Sequence, residues 1–287
     1  MINTIFFNLI RRLKLFLTNK TNNEFLCKLY IEQIHKKIKE KKINQYALDG
    51  FKVYSQNEED GIIEAIFNDI GIKNKVFCEI GIGNCIENNT HYLLLKDWKG
   101  TWIDSRSKYI KKLKSKISPD QKKLDLKISK ITKENINFII ENKNFFNKKY
   151  PKEIDFFSID IDSYDLDCLI ALKITSPRCI CIEYNAKFKE NIELEISKIK
   201  DFHWKYDDYF GSSLYKINKV LIKKGYKLVA TNITGSNAFF VRKDLINKCK
   251  TKKQNLKQLY SPANFELFNY NVAHAPSNKY LIDKLNE

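Results

Sequence analysis

The sequence predicts an α/β fold: a seven-stranded, mainly parallel sheet covered by helices on both faces and finished by one antiparallel strand. Three observations carry this. Short apolar runs alternate with helix-period segments from residue 50 onward, which builds parallel crossover units. One of those units, "VFCEIGIGNCIENNT" (76–90), runs from strand through a glycine loop into a helix start. The last two apolar runs are joined only by the turn "NITGSN", so they form a hairpin and the final strand is reversed.

In chain order, residues 1–48 read as an N-terminal helical extension. The segment "NEFLCKLYIEQIHKKIKEKK" has apolar positions at helical spacing and a basic end. The first twenty residues, "MINTIFFNLIRRLKLFLTNK", are apolar but crossed by Arg11, Arg12 and Lys14, and they lack a small-residue cleavage site. Two readings stand for them: a basic amphipathic helix on a membrane surface, or a helix packed on the domain or on a second copy in a homodimer. No stretch reaches about 18 uninterrupted apolar residues, the length of a membrane span. The main domain is placed at 49–250. It opens with the helix "SQNEEDGIIEAIFNDIG", where Ser55 and Glu58 have capping-box spacing and Gly71 closes the last turn. Strands are expected at 76–80, 101–104, 125–131, 154–160, 178–184, 226–231 and 236–242, with helices between the first six. The segment 187–211 is long for a strand-to-helix connection and is the natural lid over an acceptor. Residues 251–287 form a tail expected beside the acceptor site.

The glycine loop lacks the third glycine of a dinucleotide fingerprint, because position 86 is Ile86. What remains is an acid, Glu79, followed by Gly81 and Gly83. S-adenosylmethionine (SAM) suits this better than a pyrophosphate: it offers a cationic sulfonium and an ammonium, for which Glu79 is a partner. The next strand ends at Asp104, 21 residues after Gly83, where an acid can bind a ribose diol. Alone, Asp104 reads equally as a helix N-cap.

The fourth strand ends in "DIDSYDLD" and the fifth in "IEYNA". In a doubly wound sheet these ends are expected to be neighbours, so that Asp160 or Asp162 faces Glu183 and Asn185. Like charges crowded there call for something positive: the sulfonium, or a hard divalent cation such as Mg²⁺ held by carboxylate and amide oxygens. The alternative is that Asp162 and Asp165 cap the following helix. For a general base the candidates are Asp160, Asp162 and His203, the single histidine of the lid segment; His203 reads equally as structural.

The 51 basic and 34 acidic residues leave a net charge of +17. The charge avoids the candidate site: residues 51–100 carry 5 basic against 8 acidic groups, and 151–200 carry 7 against 10. That favours a solvated lysine-rich surface over a nucleic-acid footprint. The seven cysteines are an odd number placed largely in buried strands, which points to reduced thiols and a cytoplasmic setting.

Taken together and in order, "YSQNEEDGIIEAIF", "VFCEIGIGNCIENNT", "WKGTWID", "IDFFSIDIDSYD", "CICIEYN", "FGSSLYKINKVLIKKGYKLV" and "TGSNAFFVRKDL" resemble the FkbM-type SAM-dependent methyltransferases, in a branch found in bacterial surface-polysaccharide gene clusters. The resemblance spans roughly residues 50–245. It implies a class I methyltransferase fold, SAM as methyl donor, and O-methylation of a sugar or sugar-linked precursor. The cofactor set it implies is Gln56, Asp60, Glu79, Gly81, Gly83, Asn84, Asn89, Thr90, Asp104 and Ser105. It also implies a metal set of Asp160, Glu183 and Asn185. Two positions depart from the family pattern: Asn84, often an acid, and Ser163, often a glycine. An RNA acceptor, or a non-sugar group such as a phosphate-type substituent, are the alternative substrates.

Overall fold

A computed structural model describes residues 24–141, 149–197, 204–205, 207–268 and 276–287. Seven strands are present: β1 (Val76–Ile80), β2 (Lys99–Asp104), β3 (Leu124–Ile128), β4 (Glu153–Ile159), β5 (Ser176–Glu183), β6 (Tyr226–Thr231) and β7 (Asn237–Arg242). They form one sheet in the order β3-β2-β1-β4-β5-β7-β6. The first five are parallel; β7 lies antiparallel between β5 and β6. This is the class I methyltransferase order, and its direction of winding reverses between β1 and β4.

The helices are α1 (24–41), α2 (Glu59–Ile70), α3 (His91–Leu95), α4 (Ser107–Lys114), α5 (Ile136–Glu141), α6 (Asp165–Ala171), α7 (Leu214–Lys223), α8 (Leu256–Leu259) and α9 (Lys279–Asn286). Alternation along each strand sends neighbouring side chains to opposite faces. Phe77, Phe156, Cys181 and Phe239 pack with α2, α3, α4 and α9 on one face. Cys78, Phe157, Ile182 and Phe240 pack with α5, α6, α7 and α8 on the other. Burial on both faces is why the strands are apolar nearly throughout.

Three local devices set the ends of the helices that flank the sheet. The capping box expected at Ser55 does not form: α2 begins at Glu59, and Glu58 precedes it without a side-chain cap. Asp60 wins that competition, because its Oδ2 accepts from three successive amides, Val53, Tyr54 and Ser55, at 2.7–2.9 Å. Gly71 closes α2 as expected, at φ 78°. At the far end, Ser213 caps α7 by accepting from the Lys216 amide.

The extension docks through Ile31, Ile34 and Ile38 onto Ala47, Ile233 and Leu267. Asn44 ties it to β6, its Nδ2 donating to the Thr231 carbonyl at 2.8 Å. The apolar stretch 1–20 lies outside the described residues. Part of the tail reaches the carboxyl edge, where the Asn264 amide donates to the Thr234 carbonyl of the hairpin. Its end does not. Lys284 pairs with Asp97, and the Asn286 side chain accepts from the Ser118 amide, which holds α9 at the opposite edge. No helix among the described residues is long and apolar enough to cross a membrane.

Candidate active site

The site is built at the carboxyl edge, where β1 and β4 diverge. Gly81 leaves β1 at φ 89°, and a Cβ there would lie 1.6 Å from the Asp160 carbonyl oxygen. Only glycine lets the two strand ends meet. The Gly81 amide donates to the Ile103 carbonyl and the Asp160 amide to Ile80, which locks β1, β2 and β4 together at that level.

Two acids then fix the glycine loop. Glu79 accepts from the amides of Asn89 (2.9 Å) and Thr90 (3.0 Å), and also from the Thr90 hydroxyl. Thr90 Oγ1 in turn accepts from Trp102 Nε1 at 2.7 Å. Burial pushes the Glu79 carboxyl up to about 7. Asp104 accepts from the Gly83 amide at 2.9 Å and the Arg106 amide at 2.7 Å. The Arg106 guanidinium grips both Asp104 oxygens, at 3.1 Å each. Glu79 and Asp104 therefore hold the loop in place, and Asp104 also faces a cleft of about 590 Å³. Its walls include Gly81, Asp104, Ser105, Ile131, Asp162 and Trp204.

At the same level Asp160, Asp162 and Glu183 bring carboxylate oxygens within 4.8 Å of one another. Asp162 stands in left-handed backbone, φ 54°. Asp165 holds that turn, its carboxylate accepting from the Ile161 and Ser163 amides at 2.8 and 3.1 Å. Asp165 is thus not a helix cap but the brace that turns Asp162 toward the cluster. Burial raises the proton affinity of Asp160 and Glu183 well above the ordinary carboxylate range. The charges that reinforce this are acids: Asp162 and Asp165 at both, with Glu79 and Glu59 at Asp160. Glu183 Oε2 is buried without a hydrogen-bond partner. A hard divalent cation answers that arrangement: three anionic oxygens, one orphaned, at a spacing one ion can span.

The expected residues sort as follows. Asp160, Asp162, Glu183, Asp104, Gly81 and Ser105 meet at or beside the cleft. Asn89 lies deeper, its Nδ2 donating to Ser158 Oγ at 3.0 Å. Thr90 and Asp60 are buried braces of the loops they belong to. Two expected residues make other contacts. Asn84 is exposed and folds back on its own loop, its Oδ1 accepting from the Ile86 amide at 2.9 Å. The Asn185 amide nitrogen donates to the carbonyls of Asp208 (2.9 Å) and Phe210 (3.2 Å), tying the end of β5 to the connection before α7. Gln56 is exposed on the loop before α2. His203 lies outside the described residues.

Four residues that sequence reasoning passed over belong here: Arg106, Trp204, Glu59 and Asn237. Glu59, buried at the start of α2, accepts from the Asn57 amide and from the side-chain amides of Asn57, Asn232 and Asn237. The run "EED" and the two asparagines of "NITGSN" were the available signals. The turn chemistry of that hairpin masked the second.

No family profile matches the chain, and no curated protein sequence matches it. Among solved structures, the chain is similar to a Staphylococcus aureus protein described as a caffeoyl-CoA O-methyltransferase, with 14% identity and a TM-score of 0.43 over 77% of this chain and 99% of that one. It is also similar to the methyltransferase domain of the bacterial CtHen1-C, with 15% identity and a TM-score of 0.40 over 65% and 97%. The pyocyanin biosynthetic protein PhzM gives 11% identity and a TM-score of 0.34 over 63% and 54%. The fold assignment rests on this chain's own strand order, and the function on its own site.

Proposed function

We propose that this chain is a SAM-dependent O-methyltransferase whose acceptor is a hydroxyl of a sugar or sugar-linked surface-glycan precursor. One observation carries the reading: at the switch point of a class I methyltransferase sheet, a cleft of nucleoside size opens beside a cluster of half-buried acids. Such a site selects for cations, and SAM brings two. The sugar acceptor and the surface-glycan setting draw their support from the sequence resemblance. A cytoplasmic location draws on the reduced, largely buried cysteines.

In this reading Asp104 binds the ribose hydroxyls. All four lone-pair positions of its carboxylate are engaged, by Gly83 and by Arg106, so Arg106 must yield before the diol can be held. Asp160, Asp162 and Glu183 would hold a divalent cation. Bound there, it would fix the acceptor hydroxyl and lower its pKa. The remaining work is positioning, because methyl transfer is an in-line displacement. The hydroxyl oxygen forms its bond to the methyl carbon as the carbon–sulfur bond breaks, and the sulfonium leaves as a neutral thioether. The hydroxyl proton passes to a cluster carboxylate oxygen that the cation leaves free, on Asp160 or Asp162.

The test is calorimetric titration of the purified chain with SAM, and with Mg²⁺ before and after EDTA. Saturable SAM binding that Asp104→Ala weakens at least tenfold is the expected outcome. A Mg²⁺ enthalpy abolished in Asp160→Ala supports the cation. Absence of binding by both SAM and its demethylated product at millimolar concentration would overturn the assignment.

A further inference from the structure

We propose that Asn237, the first residue of β7, supplies the amide oxygen of the cation site, the part that sequence spacing assigned to Asn185. This deepens the cation reading above and rests on it.

The register of the sheet places the residue. Asn237 pairs with Glu183 across the antiparallel β5–β7 ladder. Directly paired residues present their side chains on one face, with Cβ atoms about 4.5–5.5 Å apart. That face is the α2 face, since Cys181 and Phe239, two residues along each strand, pack in the α2 core. Asn237 therefore stands beside Glu183.

The orientation of its amide is also determined. Asn237 is 5% exposed, and its Nδ2 donates to Glu59 Oε1 at 2.9 Å. An ionised carboxylate only accepts, so the amide nitrogen must face Glu59 and the carbonyl oxygen must turn away from it. That oxygen, Oδ1, is buried with no donor. The neighbouring Glu183 Oε2 is buried with no donor as well. While Glu183 is ionised, two adjacent acceptors cannot satisfy each other, and a buried acceptor without a partner is costly. A hard cation that already draws on Asp160, Asp162 and Glu183 relieves both at once, because amide carbonyls and carboxylates are the oxygen ligands such ions take.

Asn185 cannot serve in the same way. Its amide nitrogen is committed to two lid carbonyls, and its Oδ1 accepts from the Lys187 amide at 3.3 Å. Asn237 is fixed from the opposite side, through Glu59 on α2. The site thus draws on the turn after β4, on β5 and on β7.

The experiment is Mn²⁺ binding to the full chain, read by the loss of the free-ion EPR signal, with folding checked by far-UV circular dichroism. Wild type is expected to bind one Mn²⁺. Asn237→Ala should bind it about tenfold or more weakly, with SAM affinity within twofold of wild type. Asn185→Ala should leave Mn²⁺ affinity unchanged. Asn237→Asp keeps an oxygen on the same stem and adds a charge, so it should bind Mn²⁺ at least as tightly as wild type. Unchanged Mn²⁺ affinity in a folded Asn237→Ala, or weakened affinity in Asn237→Asp, would overturn the assignment of Asn237 while leaving the cation site standing. No Mn²⁺ binding by wild type would overturn both.

Discussion

Replacing Gly81 by alanine is a severe test of how the site is assembled. The new Cβ would fall 1.6 Å from the Asp160 carbonyl oxygen, whereas ordinary contact needs 3.4 Å or more, so the backbones of β1 and β4 must part by about 1.8 Å. The obstacle is main chain and cannot rotate aside. Three costs follow. Left-handed backbone at φ 89° costs alanine about 1–2 kcal/mol. Overpacking at a closed contact costs about 1–3 kcal/mol. The 3.0 Å bond from the Asp160 amide to Ile80 is broken or stretched, at about 1 kcal/mol. Together these come to about 3–6 kcal/mol, a large fraction of the roughly 5–15 kcal/mol that holds a domain folded. Thermal unfolding followed by circular dichroism should show a melting temperature lower by about 10 °C, at about 2–4 °C per kcal/mol for a chain near this size. Because the displaced atoms belong to Asp160, Mn²⁺ and SAM binding should weaken together. A Gly81→Ala protein melting within about 2 °C of wild type, with both affinities intact, would refute the reasoning.

Three further outcomes are expected. Arg106→Ala frees two lone-pair positions on Asp104, so SAM should bind up to about fivefold more tightly by calorimetry, the limit set by a half-exposed ion pair worth at most about 1 kcal/mol. Burial raises the Glu58 carboxyl from 4.5 to about 8, so the folded state keeps a proton that the unfolded chain releases; its contribution is full below about pH 4.5 and is lost as pH rises to 8. The melting temperature should fall over that window, and Glu58→Gln should flatten the fall, most visibly at pH 8. Phe156→Ala removes a fully buried ring packed edge-on against Phe67 at 6.3 Å between centroids, and urea unfolding should show a loss of about 3–5 kcal/mol with an unchanged m-value.

The chain's alternation of apolar runs and helix-period segments was enough to determine the sheet and its closing hairpin. Residues buried on both faces, such as Phe77 and Cys78, leave runs that only a covered parallel sheet accommodates. The glycine loop and Asp104 were legible for a related reason: tight turns and strand-end acids are local, and local chemistry leaves a local mark. What tertiary structure decided is which oxygens meet. Asp162 joins Asp160 and Glu183 because Asp165 bends the chain into a left-handed turn there. Asn185, the amide nearest in sequence, is drawn away by the lid, while Asn237, 54 residues beyond Glu183, is set beside it by the β5–β7 register. Spacing along a chain records what a turn or a helix can reach. A side chain delivered across a sheet by antiparallel pairing leaves no such record, and here that pairing composes the site.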